Sequence, residues 1–484
     1  MSKKKKLAKE DWPGEVVFAL AECDRIAKVV ASAATGKKLK DIPKKDVLAT
    51  LPHPSGRGDM LCGQAAYQRL HHLAALALKD SAYAETATLG DVFSAFRKLV
   101  SARFLSKKQE PTLKNVQSAL AEAIQEAASK CRDATHFVPC RLTYAKNAAE
   151  FALGKVTFRA SKSFNETMAS TFTAYLDEAK DEKEKEWDEK HLKSARAYYD
   201  AFTWAAEVKV FGCAPDISKQ RAFLAVQTAV GVLQLLLGTY HTRRMAVGGP
   251  MLASDRRSHF YLSDAGKLQV STSSDSTSAV GFEDGWEKIL ARDDFAFLLD
   301  GAAKVIAPII DPTLKRPLSQ RFVDAVSWYG EAAREHTDAS RVIKSVTAIE
   351  RLVMTGKVDK TTETISHRAA MIRCSTGLDK DFARLLGDMS RYYDLRSRLA
   401  HGDLSPFDPI VSEHASACVA FAEKTLCAGL AFFHSYKLFD EALTNKQLAH
   451  GYDVLVAEAA NAWKANGKKK KTSGTDDATV SGAD

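Results

Sequence analysis

The 484-residue sequence has no Cys-x-x-Cys pair and no tight cysteine cluster; its eight cysteines (Cys23, Cys62, Cys131, Cys140, Cys213, Cys374, Cys418, Cys427) are scattered. That distribution counts against a zinc ribbon and against a secreted disulfide framework, and fits reduced thiols in a cytoplasmic protein. The opening MSKKKKLAKEDWPGE carries charge but no apolar h-region, so it does not read as a signal peptide. The motifs GxxxxGK[ST], GxGxxG and GxSxG are all missing, which argues against a P-loop enzyme, a nucleotide-binding Rossmann domain and an esterase. No internal repeat recurs at a fixed period. The most apolar stretch, AFLAVQTAVGVLQLLLG at 222–238, is short for a bilayer and is interrupted by Gln227, Thr228 and Gln234. A buried core helix is expected there, and no membrane partner.

What is present describes a soluble globular chain: 45% hydrophobic and 27% charged residues, at a length that suggests two or three domains. Part of the net charge of +9 sits in two lysine tracts, Lys3–Lys6 and Lys468–Lys471. Such tracts are expected to be solvated tails, here residues 1–14 and 466–484. The positive balance permits an anionic partner without demanding one.

The expected fold class is mainly α: a C-terminal helical bundle preceded by a mixed α+β region. Residues 15–131 are Ala- and Leu-rich with helical spacing, interrupted by the turn-rich LATLPHPSGRGD at 49–59. THFVPCRLTY and EFALGKVTFRA, within 135–160, alternate in the manner of strands, with a hairpin turn at Gly154–Lys155. The charged run 177–202 predicts a long solvated helix, and a subdomain break is expected near 176–205. HFYLSDAGKLQVST at 259–272 predicts a second hairpin turning at Asp264–Gly266, and the Ser/Thr-rich 271–281 a loop.

From residue 318 the pattern is helical, with helices expected at about 318–336, 339–355, 362–374, 379–401, 408–437 and 445–464. Asp338 or Ser340 should cap the second, Gly356 should end it, and Pro406 and Pro409 separate the fourth from the fifth. The domain assignment is thus a regulatory or sensor region at 15–317 and a helical domain at 318–465.

The fourth of these helices carries the chemistry. Phe382, Leu386, Met389, Tyr393 and Arg396 recur at spacings of three and four, which places Arg396 on the packing face. A guanidinium there must find a partner, in the fold, across an interface or in an anionic ligand. His401 lies about 140° further round an ideal helix. Gly402 suggests a helix stop, where the dipole favours a cationic side chain. Arg and His together suit a phosphodiester: the guanidinium holds non-bridging oxygens while the imidazole moves a proton. By itself the Arg-x4-His spacing is what chance supplies.

The surrounding text gives it weight. AIERLVMTG (348–356), ISHRAAMI (365–372) and YYDLRSRLAHG (392–402) closely resemble the pattern of the Apea-like branch of the HEPN superfamily, over about residues 338–435. THFVPCRLTY and FALGKVTF are more weakly similar to strands that often precede this domain. The resemblance implies an up-and-down bundle of four to five helices that dimerises, so that two R-x4-6-H motifs meet. It also implies a metal-independent endoribonuclease that leaves a cyclic phosphate and requires no cofactor. Arg396 and His401 carry over as the catalytic pair, with Ser397 the polar residue after the arginine, and Glu350 and Asp394 as groups that could orient Arg396. Tyr393, Arg398, His367 and Arg368 are candidate RNA contacts or supports. The role implied is antiphage defence by abortive infection, with a phage-derived trigger and an RNA target. The alternatives are a non-catalytic dimerisation or nucleic-acid-binding scaffold and a nucleotide-sensing module.

Other histidines read as structure. GTYHTRR at 238–244 suggests a cationic helix end, the adjacent His71 and His72 face apart on a helix, and Cys131, His136 and Cys140 lack a fourth ligand for zinc.

Overall fold

The structure is a computed structural model that describes residues 9–34, 48–55, 57–142, 149–242, 244–248, 254–262, 268–276, 285–377 and 379–472. It is mainly helical with small sheets, and it divides into two compact units. The first comprises residues 1–134 with 210–220, and the second 135–209 with 221–484.

In the first unit, α1 (Trp12–Ala34), α2 (Gln64–Lys79), α3 (Leu89–Leu99) and α4 (Leu113–Ala128) enclose a core that includes Val16, Leu70, Leu73, Phe96 and Leu120. Thr88 and Thr112 cap α3 and α4 by accepting from the Asp91 and Asn115 amides. The interval expected to be only a turn holds a hairpin, β1 (Leu48–Pro52) antiparallel to β2 (Asp59–Gly63). Its apolar Leu51 and Cys62 are fully buried, which is what draws those few residues into paired strands.

A five-stranded sheet of order β4-β5-β6-β3-β7, from β3 (Arg132–Arg141), β4 (Phe151–Leu153), β5 (Val156–Ala160), β6 (Trp204–Cys213) and β7 (Ala246–Val247), lies largely in the second unit. The hairpin expected at Gly154–Lys155 joins β4 to β5, with Gly154 at φ 60°. A β-carbon on Gly154 would also meet Ala303 at 2.8 Å, so both backbone conformation and packing require glycine. Of the two helices between β5 and β6, α5 (Ser161–Asp177) buries only Phe164, and α6 (Glu182–Asp200) buries nothing, as its charge run suggests.

Helix α7 (Pro215–Leu237) is the apolar segment expected in the core. Gln234 is fully buried and donates to the Thr242 and Met245 carbonyls at 3.0 and 3.1 Å, and the Thr228 hydroxyl donates to Leu224 O. The short α8 (Thr239–Thr242) follows Gly238 at φ 80°. A further hairpin pairs β8 (Ser254–Leu262) with β9 (Leu268–Ser276). Strand β9 therefore takes in residues 271–276, which the sequence reading gives to a loop; the Asp264–Gly266 turn lies outside the described residues.

Helices α9 (Asp293–Ile310), α10 (Pro317–Arg334), α11 (Asp338–Val353), α12 (Thr361–Ser375), α13 (Phe382–His401), α14 (Pro409–Ser435) and α15 (Asn445–Thr472) complete the unit. The last six match the six expected helices. Helix α9, which the sequence reading leaves out, packs on α10 and α14. Regular structure also reaches into both expected tails, since α1 starts at Trp12 and α15 runs to Thr472.

Helix α11 packs on α10, α13 and α14, and α12 packs on α13, α14 and α15. Phe322, Tyr329, Ile349, Leu352, Ile372, Met389, Leu430 and Phe433 are among the residues they bury. Thr337 rather than Asp338 or Ser340 occupies the cap position of α11, and the helix stops when Met354 turns extended, so Gly356 is not its stop. Helices α7 and α14 are long and apolar enough to cross a bilayer, and most of each is buried inside the protein.

Candidate functional site

Helix α13 begins at Asp381, whose carboxylate accepts from the Arg384 amide at 3.0 Å. Its fully buried residues are Phe382, Leu385, Met389, Tyr392 and Leu395. Phe382 and Met389 are buried as expected, but the rest of the stripe is offset by one position, and Leu386, Tyr393 and Arg396 lie half-buried along its edge. Helices α11, α12 and α14 all pack on α13.

That edge faces α11. Arg396 Nη2 donates to Glu350 Oε2 at 3.2 Å, and both side chains are about a quarter exposed. The guanidinium carbon lies 5.8 Å from the Tyr393 ring centre, near the outer limit of a cation–π contact. Arg396 Nε is buried and has no hydrogen-bond partner among the described residues. Burial, and then the Glu350 carboxylate, push the Tyr393 phenol above its usual range, while Arg396 opposes them. Glu350 thus pairs with Arg396 and leaves part of its donor fork unused.

His401 is the last residue of α13, exposed, and without a hydrogen bond or ion pair among the described residues. Gly402 adopts φ 82° and ψ 11°, and the amides of Asp403 and Leu404 both donate to Arg398 O, at 2.9 and 3.2 Å. This left-handed stop, which glycine adopts without penalty, fixes where the imidazole leaves the helix. Because α13 is continuous from Arg396 to His401, the two side chains leave its axis about 140° apart and about 7.5 Å along it. The two side chains therefore leave α13 on different faces.

The remaining candidates separate. Asp394 is two-thirds exposed and faces Arg398 at 3.8 Å, so it pairs with Arg398 and does not orient Arg396. Ser397 is half-buried beside Arg396 in sequence and makes no hydrogen bond among the described residues.

Arg368 is 4% exposed; it donates to Val353 O at 2.9 Å and to Asp453 at 2.8 Å, and its guanidinium carbon lies 5.0 Å from the Tyr452 ring centre. It is a structural tie between α11, α12 and α15, not an RNA contact. His367 shares its Nδ1 with Glu363 O at 2.8 Å and packs its ring 6.2 Å from Phe382. Phe382 opens α13, about 21 Å along the helix from Arg396, so His367 stands away from the site.

Elsewhere, His71 and His72 are exposed and His71 packs edge-on against Phe93. Among the described residues no three His, Cys, Asp or Glu side chains form a metal-binding group. One residue beside His401 escapes the helical periodicity altogether. Phe407, in the loop between α13 and α14, is 91% exposed. Its signal is an aromatic set between Pro406 and Pro409, where no helix can bury it. No family model, curated protein or solved structure matches the chain.

Proposed function

We propose that the chain is a metal-independent endoribonuclease of the HEPN type, a cytoplasmic homodimer or higher oligomer acting in antiphage defence by abortive infection. Helices α10–α14 form the HEPN bundle in this reading. The observation that carries it is the geometry of α13: a part-buried arginine with open donors and a free histidine at a fixed helix end, on different faces of the helix.

Two chains solve that geometry. Arg396 of each, held by its own Glu350, grips the non-bridging oxygens of one phosphodiester as charge develops at phosphorus. One His401 takes the proton of the ribose 2′-hydroxyl, the 2′-oxygen attacks phosphorus, and the 5′-oxygen leaves with a proton from the other imidazole. The products are a 2′,3′-cyclic phosphate and a 5′-hydroxyl. Ribose supplies the nucleophile, so the step needs no metal. An unrestrained ribonuclease is toxic, and the rest of the chain holds it off until a phage-derived trigger arrives.

The test is incubation with cellular RNA in excess EDTA, with and without phage lysate. Chelator-resistant cleavage that disappears in Arg396→Ala and in His401→Ala supports the proposal. No cleavage under any condition, with both variants behaving in cells like the parent, defeats it and leaves a dimerisation scaffold.

A further inference from the structure

Cys23 and Cys62 stand far apart in the sequence, and the first unit brings them together. Cys23 belongs to the buried stripe of α1 that runs Trp12, Val16, Ala19, Cys23 and Ile26, and Cys62 is the buried residue of β2 opposite Ala49. Helix α1 packs on β2 so closely that a β-carbon on Gly63 would meet Glu22 Oε2 at 2.7 Å. The two thiols, 1% and 0% exposed, share a hydrogen bond.

The pair is asymmetric. Cys23 donates and Cys62 accepts, which holds the proton on Cys23 and pulls the Cys62 thiol below its usual range. Burial reinforces the first effect and opposes the second. The Arg97 guanidinium lowers Cys62 further; Glu22 opposes it but is paired with Arg25 at 2.9 Å. Arg97 donates to Thr50 O at 3.1 Å, and its buried Nε has no hydrogen-bond partner among the described residues. A thiolate at Cys62 is stabilised by that positive charge. Cys140 and Cys418 are equally deep, but burial dominates there and pushes both thiols up.

We propose that Cys23 and Cys62 are a reversible oxidation site, which hydrogen peroxide closes to a disulfide that ties α1 to the β1–β2 hairpin. The Cys62 thiolate attacks one peroxide oxygen, the O–O bond breaks, and the other oxygen leaves as hydroxide and takes up a proton to become water. Cys62 is left as a sulfenic acid, oxidised by two electrons. The Cys23 sulfur then attacks the Cys62 sulfur, the S–O bond breaks, and the hydroxyl leaves with the Cys23 proton as a second water. Two thiols and one peroxide become one disulfide and two waters.

No third His, Cys, Asp or Glu joins the pair in a metal-binding group among the described residues, which favours cross-linking over a soft metal ion. Access is by local opening. Among the described residues β1 and β2 pair only with each other, and a two-stranded ribbon opens more readily than a larger sheet.

The experiment treats the reduced full-length protein with hydrogen peroxide and blocks remaining thiols with N-ethylmaleimide. Tryptic peptides are then mapped by mass spectrometry without reductant; cleavage at Arg25 and Arg57 puts the two cysteines on separate peptides. The expected result is a Cys23–Cys62 linked pair that parts on adding dithiothreitol. It should form at least about 30-fold faster than any oxidation of Cys418, because a lower thiol pKa raises the thiolate fraction more than it costs in nucleophilicity. The oxidised protein should unfold at higher urea, since the cross-link closes a long loop. In Cys23→Ser, peroxide should leave a Cys62 sulfenic acid that dimedone traps; in Cys62→Ser, Cys23 should stay reduced.

If both thiols are still reduced once the half-buried Cys131 and Cys374 have reacted, the proposal is overturned and the pair is packing alone. A disulfide that forms only in urea, or that joins Cys62 to a different cysteine, overturns it as well. None of these outcomes bears on the ribonuclease reading, which involves neither cysteine.

Discussion

Replacing Gly402 with alanine isolates the left-handed helix stop that sets the position of His401. At φ 82° a β-carbon costs about 1–2 kcal/mol through its clash with the neighbouring carbonyl. Built at Gly402, that carbon meets nothing within 4 Å, so no packing term adds to the backbone cost. Alanine also restricts the unfolded chain, which returns about 0.4–1 kcal/mol. The net loss should be about 0.8 kcal/mol at the middle of these ranges and about 1.6 kcal/mol at most, with a fall in Tm of about 1–2 °C for each kcal/mol in a unit this large. Asparagine, which tolerates the left-handed region, should fall between glycine and alanine.

Urea titration of the three proteins by circular dichroism reads the order directly. The same variants assayed on RNA should lose more activity than stability, because a frayed helix end moves the imidazole. A Gly402→Ala protein as stable as the parent would refute the left-handed stop. One that is destabilised yet fully active would refute its link to His401.

Other substitutions separate structure from chemistry. Arg368→Ala leaves Val353 O unpaired in the core and should cost about 1–3 kcal/mol by urea titration, with activity per folded molecule unchanged. Arg396→Ala, in a part-exposed pair, should cost less than about 1 kcal/mol and abolish cleavage. Glu350→Gln should keep the fold and lower kcat, because a neutral amide orients the guanidinium less firmly than a carboxylate; an unchanged kcat removes Glu350 from the site.

Burial raises the phenols of Tyr329 and Tyr452. Below about pH 10 both folded and unfolded states are protonated; above it the unfolded state ionises first, so stability falls as pH rises. Tyr329→Phe should flatten that decline between about pH 10 and 11.5 without changing the neutral range. The Cys418 thiol, pushed up to about 12 by burial, should resist Ellman's reagent at pH 8 until the protein unfolds.

Much of the helical half of the fold was legible because several of its helices mark an end. Asp381 and Asp408 cap, Pro317 and Pro409 open, and Gly402 stops. Strands were harder. Leu51 and Cys62 make a buried hairpin from two five-residue runs, and β9 takes in serines and threonines that composition assigns to a loop. A period of two over so few residues carries little signal, and pairing partners lie elsewhere in the chain.

At the site, Glu350 came forward only through the family resemblance, whereas the helix end was readable from glycine. The one-position offset of the buried stripe was not, because it depends on which neighbours cover α13. Arg368 shows the converse. The sequence left it between support of the site and simple packing, and its partners, a main-chain carbonyl on α11 and Asp453 on α15, come only with the fold. Phe407 could have been noticed as an aromatic between prolines, but its exposure is a property of the folded loop.

The central claim is that Arg396 and His401 form one site only when two chains meet. The most direct measurement is the distance between spin labels at position 401 of the two chains, introduced as His401→Cys with the half-buried Cys131, Cys374 and Cys427 changed to serine. Two imidazoles serving one phosphate must each lie within hydrogen-bond reach of it, so the labels should sit within roughly 20 Å of each other. A monomer, or a dimer with the two labels on opposite sides, would contradict the account.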